Sequence, residues 1–250
     1  MEVTTERKWG EEMKFVTDTH AHTIVSGHAY STMKEMAQAA KEAGLEVLAL
    51  TEHAPTMPGT CGMFYFQNFS VVPRQMCGVE LMLGAELNIL DENGTVDLPE
   101  STIRNLDIVI ASIHGPCYQT ENTLEHNMQA YINAMKNPLI DIIGHPDDGR
   151  IPIDYEVLVK MAKETKTLLE VNNSSLNPKG FRQNTHENVC QMLKLCKQYE
   201  VPIVLGSDSH IDSAVGKFPL AEAVIRETEF PEELIVSTSA AKLKSFLRQY

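Results

Sequence analysis

Residues 32–53, TMKEMAQAAKEAGLEVLALTEH, hold one complete structural unit and decide the fold. Thr32 followed three residues later by Glu35 has capping-box form, and Met36, Ala37, Ala40 and Ala43 recur at helical spacing behind it. Gly44 stands where a left-handed residue ends a helix. The apolar run Glu46–Leu50 then reads as a buried strand, and it ends in the polar triplet Thr51-Glu-His53. The same succession recurs along the chain. Other strand-type runs lie at Lys14–Thr17, Met82–Leu90, Asp107–Ser112, Leu139–Ile143, Leu168–Val171 and Ile203–Leu205. Helical windows cover Leu124–Met135, Tyr155–Thr165, Thr185–Tyr199, Pro219–Thr228 and Ala240–Arg248. This alternation predicts an α/β fold on a mostly parallel sheet or barrel, in a single domain. Asp91-Glu-Asn-Gly94 predicts a tight turn of the primed type, with a short antiparallel excursion after the third strand. Residues 1–12 are polar and aperiodic and are expected to form a tail ahead of a domain over 13–250.

Composition narrows the function. With 250 residues, 43% of them hydrophobic and 22% charged, the chain can bury a sizeable core, which excludes intrinsic disorder. No run approaches the roughly 18 apolar residues a membrane span needs, and Met1–Lys8 carries no apolar signal core. A cytoplasmic protein without a membrane partner is expected. Five cysteines, an odd count with no C-x-x-C spacing, suit reduced thiols better than disulfides or a structural zinc knot. The net charge of −13 repels a nucleic-acid backbone, so nucleic acid is not an expected partner. A homo-oligomer is compatible with the outer helices of a barrel.

The chemistry gathers where the strands end. The first strand runs into Asp18-Thr-His20-Ala-His22, with His28 beyond it, and the second into His53. Glu86 lies in the third, and His114, His145, Glu170-Val-Asn172 and Asp208-Ser-His210 follow the remaining four. In a parallel α/β barrel all these ends share one face, so seven of the nine histidines converge. An H-x-H in extended chain sends both rings to the same side, and imidazole with carboxylate suits zinc, manganese or iron. A carboxylate such as Glu86 or Asp208 is able to bridge two cations. No cysteine sits in these motifs, which points to a catalytic site. His126 and His186 fall within helices and read as solvated residues. Asp18 and Glu52 read as supports or backbone caps, and Cys117, three residues after His114, is a minor candidate for a nucleophile.

These motifs, taken in order with His28-Ala-Tyr-Ser31, Gly84-Ala-Glu86, Asn172-Asn-Ser-Ser175 and Gly206-Ser-Asp-Ser-His210, resemble the polymerase and histidinol phosphatase (PHP) family. The likeness runs from about Lys14 to Tyr250 and is strongest to the stand-alone YcdX-type phosphatases. The resemblance implies a distorted seven-stranded (β/α) barrel and three divalent metal ions, zinc first, with manganese or iron as alternatives. It implies one metal on His20, His22, Glu86 and Asp208. The second would take His114, His145 and a shared Glu86, and the third His28, His53 and His210. It further implies hydrolysis of a small-molecule phosphate monoester by metal-activated water, turning on Glu86, Asp208 and His210. Arg150, Lys179 and Arg182, after the fifth and sixth strands, are candidates for contacting the substrate.

Other readings stay open at this stage. An amidohydrolase shares the barrel, the H-x-H and the late Asp and commonly bridges its metals through a modified lysine or a carboxylate. No lysine lies at the fourth strand end here, and Glu86 on the third strand with His28 and Asp208-x-His210 favours the phosphoesterase. A nuclease-type phosphodiesterase and a histidinol phosphatase are alternatives within the same family.

Overall fold

Seven parallel strands, apolar on both sides, share one sheet in the computed structural model, which describes residues 13–250. The tail expected over residues 1–12 lies outside the described residues. The strands are β1 (Thr17–Asp18), β2 (Val47–His53), β4 (Val79–Asn88), β5 (Val109–Ser112), β6 (Ile142–Ile143), β7 (Leu168–Asn172) and β8 (Ile203–Gly206), paired in that order. A short β3 (Gln75–Met76) turns back antiparallel onto β4. Around them lie helices α1 (Met33–Glu42), α2 (Met63–Gln67), α3 (Glu100–Ile103), α4 (Leu124–Lys136), α5 (Tyr155–Thr165), α6 (Thr185–Tyr199), α7 (Pro219–Glu227) and α8 (Ala240–Lys244). Among the described residues, no helix is long and apolar enough to cross a membrane.

The sheet closes on itself, but unevenly. At the carboxyl ends of the strands His22 N–H donates to Ser209 O at 2.9 Å and Asp208 N–H to His20 O at 2.8 Å, joining the continuation of β1 to that of β8. At the opposite end Val16 N–H donates instead to Ser237 O, and Ile203 bridges to Ile235. The segment 235–237 therefore wedges the first and last strands apart, which makes the seven-stranded barrel a distorted one.

Local chemistry explains the boundaries. Thr32 and Glu35 form the expected capping box on α1. Gly44, at φ 76°, ends the helix as Gly44 N–H donates to Lys41 O and Leu45 N–H to Ala40 O. The expected antiparallel excursion exists, with Ile89 bridging to Val96, but its turn differs from the primed type. Gly94 has positive φ and Asn93 does not, because the Asp91 carboxylate accepts the N–H groups of Asn93 and Thr95 and holds an ordinary turn. The primed geometry occurs instead at Cys77 and Gly78, both at positive φ, between β3 and β4.

Two apolar layers flank the strands. Leu48, Leu50, Leu83, Val109, Ile143, Leu169 and Leu205 face the helices, while Val47, Ala49, Met82, Ile108, Ile110, Ile142, Leu168 and Val204 fill the barrel interior. Complete burial of each large aliphatic side chain contributes about 1.5–3 kcal/mol. The interior layer stops half-way up the barrel, and the site begins there.

Candidate metal centre and cavity

The inward parity of each strand carries the site. Starting from the interior apolar layer, β2 continues from Ala49 to Thr51 and His53, and β4 from Met82 to Gly84 and Glu86. Similarly, β5 leads from Ile110 to Ser112 and His114, and β8 from Val204 to Gly206 and Asp208. Side chains two residues apart share a face, so each strand delivers its polar end to the same chamber. Gly206 is required there, since a Cβ would lie 1.9 Å from Glu170 Oε1 and 2.6 Å from His20 Cβ. His145 at φ 29° and Asp208 at φ 51° adopt a backbone conformation that costs side-chain-bearing residues energy, and it is kept at two candidate ligands.

All nine candidate ligands come together. His20 Nε2 lies 3.1 Å from His22 Nε2, 3.5 Å from Glu86 Oε2 and 3.7 Å from Asp208 Oδ1. His22 Nε2 is 3.6 Å from Glu86 Oε2 and 3.4 Å from Asp208 Oδ1. These are the edges of a small polyhedron of donor atoms. The other oxygen of Glu86, Oε1, is 2.8 Å from His145 Nε2 and 3.2 Å from His114 Nε2. His53 joins both sides, with Nδ1 2.7 Å from Glu86 Oε2 and Nε2 3.3 Å from His28 Nε2. The third expected group is less separate than the resemblance implies, because the ligand atoms of His53 cluster with those of His22 and His210, and also with Glu86 and His114.

A second layer of bonds fixes the ring orientations. The Nδ1–H groups of His20, His22 and His114 donate to Glu170 Oε1 (2.8 Å), Ser26 Oγ (3.2 Å) and Asn88 Oδ1 (2.8 Å). His210 Nδ1–H donates to Asp208 O at 3.0 Å. For His22 and His114 the roles are forced, because Ser26 spends its proton on Glu52 and the Asn88 amide donates to Asp97. Each ring is left with Nε2 as the nitrogen free for a ligand bond. Glu52 also caps Thr23, and Asp18 accepts the N–H groups of His20, Ser207 and Gly216, which fits the supporting parts expected of them. Glu170 stands in a strand-end motif of the sequence without a part assigned to it, and Asn88, Asp97, Ser26 and Ser112 carry no sequence signal.

Electrostatics favour a cation. Burial favours a neutral Glu86, yet His114, His20 and His53 hold its carboxyl well below the usual range. Asp208 is likewise buried and is held well below by His20, His22 and Arg182. Burial opposes charge on His20, but Glu170, Glu86 and Asp208 prevail and raise its pKa well above an ordinary imidazole. His22 is held well below by burial and by His53. A proton on His20 thus stands where a divalent ion would neutralise the same carboxylates. His53 Nδ1 and Glu86 Oε2 are buried without a hydrogen-bond partner of acceptable geometry, and the donor set is entirely nitrogen and oxygen. The residues fit divalent metal ions of the zinc, manganese or iron kind.

A cavity of about 990 Å³ opens over this chamber and is lined by His28, His53, His114, His145, Asp208 and His210. Arg150 and Arg182 also line it; Lys179 does not, whereas Lys217 does. Arg182 is nearly buried, with Nη1 2.9 Å from Ser175 Oγ and 3.2 Å from Asp208 Oδ2. Arg150 is paired to Asp148 and lies 4.6 Å over the Phe181 ring. Cys117 is buried and its thiol is pushed up to about 11, which suits packing and not attack. His126 is half-buried against Glu121 O, and His186 is exposed and pairs with Glu227.

The profile of the PHP domain matches residues 18–181. The chain belongs to the PHP domain family. A probable phosphatase of Clostridium novyi (strain NT) is 46% identical over 236 residues, covering 94% of this chain and 96% of that protein. A probable phosphatase of Clostridium botulinum (strain Langeland) is 44% identical over 236 residues with the same coverage of 94% and 96%. Histidinol phosphate phosphatase from Lactococcus lactis, solved with zinc, L-histidinol and phosphate, resembles the fold with a TM-score of 0.57 at 17% identity, covering 86% of this chain and 94% of that one. The PHP match stops at residue 181, so Arg182, Asp208 and His210 come from chain beyond it.

Proposed function

We propose that the chain hydrolyses small phosphate monoesters at three divalent ions, zinc first, with residues 13–250 as one catalytic unit. That it is a metal-dependent hydrolase of phosphate esters rests on its PHP family membership and on near-full-length relatives named as probable phosphatases. The finer reading is carried by Glu86. Its two oxygens face different donor groups, Oε2 toward His20 and His22 and Oε1 toward His114 and His145, as a bridging carboxylate requires.

His20, His22, Glu86 and Asp208 would hold one ion, Glu86, His114 and His145 a second, and His28, His53 and His210 a third. Bound there, the ions supply neutralisation of the ester and an acidified water. The side chains do the rest. Ser175 and Asp208 hold the Arg182 guanidinium beside the ligand chamber, where it binds a phosphoryl oxygen. Arg150 and Phe181 form the rim of the cavity and meet the alcohol portion of the substrate. Lys179, outside the cavity lining, contributes at most long-range attraction.

The test pairs elemental analysis with turnover of p-nitrophenyl phosphate before and after chelation. At least three ions per chain, turnover abolished by chelator and restored by zinc or manganese, and no hydrolysis of a cyclic amide are expected. Fewer than one ion after reconstitution would sink the trinuclear reading.

A further inference from the structure

Outside the barrel mouth, the first turn of α6 meets the last turn of α7. His186 and Cys190, four residues apart, share one side of α6, and Glu227 is the final residue of α7. His186 Nε2 lies 2.9 Å from Glu227 Oε2 and 4.0 Å from Cys190 Sγ, and Sγ lies 3.8 Å from Glu227 Oε1. A surface cavity lined also by Glu187, Gln191 and Lys194 opens beside them.

The direction of approach separates the readings of this trio. In a thiol nucleophile with its base and orienting acid, the thiol and the carboxylate address opposite nitrogens of the imidazole. Here both address Nε2. Nitrogen, sulfur and carboxylate therefore face one small region, with Glu227 turning Oε2 toward the imidazole and Oε1 toward the sulfur, as the ligands of a single cation do. With Zn–S of about 2.3 Å and Zn–N and Zn–O of about 2.0–2.2 Å, tetrahedral edges are about 3.4–3.6 Å, so each observed separation is within about half an ångström. The sulfur favours a borderline or soft ion over magnesium or calcium.

We infer that His186, Cys190 and Glu227 form a second, single-ion site for zinc or a zinc-like cation, which clamps α6 to α7 and takes no part in hydrolysis. It shares no residue with the barrel-face ligands, and it contains the only sulfur among the metal-competent groups of the described residues.

That sulfur makes the site separately readable. Protein purified with its metals in place is analysed for zinc and then titrated with cobalt(II), alongside Cys190→Ser and Glu227→Gln. The wild type is expected to carry one more zinc per chain than either variant. It should also develop a near-ultraviolet thiolate-to-cobalt charge-transfer band that Cys190→Ser abolishes, while phosphatase turnover is equal in all three. Added zinc should raise the Tm of the wild type and leave that of Cys190→Ser unmoved. Glu227→Gln changes an exposed carboxylate alone, so its zinc count guards against a packing defect in Cys190→Ser. Equal zinc in all three proteins, or a band that survives Cys190→Ser, overturns the assignment.

Discussion

Along the inward side of β8, Val204 lies in a dry apolar layer, and four residues later Asp208 lies among imidazoles with its backbone at φ 51°. The same change occurs on β4 between Met82 and Glu86. At the lower end the charged groups that are buried are few and matched, as where Arg248 Nη1 meets Asp141 at 2.5 Å and Nη2 meets the carbonyls of Ile103 and Leu106. At the upper end Glu86, Asp208 and Glu170 are buried among histidines, and His53 Nδ1 and Glu86 Oε2 are left without a hydrogen-bond partner of acceptable geometry. The barrel is thus stabilised from below, and its upper end carries an electrostatic burden that bound cations relieve. Stability and activity should therefore separate by height along a single strand.

The largest effect should come from the residue where the upper end is most crowded. Glu86→Ala removes the carboxylate that faces both donor groups, and turnover should fall by about a thousandfold or more, equivalent to roughly 4 kcal/mol of barrier. Metal content should fall with it. A variant that keeps its ions and its turnover would remove Glu86 from the bridging position.

Arg248→Ala should do the reverse. It leaves Asp141, nearly buried, without its partner and frees two backbone carbonyls, at a cost of about 3 kcal/mol in unfolding free energy with kcat unchanged. Burial already raises the Asp141 pKa against the pull of Arg248. A carboxyl whose folded pKa is raised stabilises at low pH and loses that contribution as pH rises. The defect in Arg248→Ala should consequently be smaller at pH 5 than at pH 8 by denaturant titration. A pH-independent loss would mean that the carbonyls, not the carboxylate, dominate.

The ligand-bearing upper end was more legible in sequence than its supports, for a physical reason. Period-two alternation ties His20 to His22, and the capping box at Thr32 marks where a helix begins. Those signals are local. Glu170 stands in plain view two residues before Asn172, but its partner His20 lies 150 residues away, and nothing nearby announces that contact. β3 is two residues long, and α2 and α3 lack side-chain caps, so each is decided by packing. Lys217, which lines the cavity where Lys179 does not, follows a 3-10 turn (Asp212–Ala214) that carries no motif.

Glu170→Gln tests that hidden layer. The amide cannot take up the charge that Glu170 shares with His20 Nδ1–H, and the oxygen that accepts His145 N–H at 2.7 Å also changes. Supports of this kind typically contribute 10–100-fold in metal affinity or activity, and a loss in that range is expected, partly recovered at high zinc. An effect as large as that of Glu86→Ala would mean that Glu170 itself is a ligand.

Cys117 should give the smallest effect, and it sharpens the comparison because height alone would assign it to the active end. It follows His114 by three residues, and its N–H donates to His114 O at 2.9 Å. Yet its thiol is buried, and burial together with Asp97 and Glu86 pushes its pKa up to about 11, so at neutral pH it is protonated and a poor nucleophile. Cys117→Ala should cost about 1 kcal/mol of stability through lost packing and leave kcat within twofold. A large loss of kcat with metal content intact would place a nucleophilic step at sulfur. In that event the division of labour between the two ends would survive, while attack by water would not.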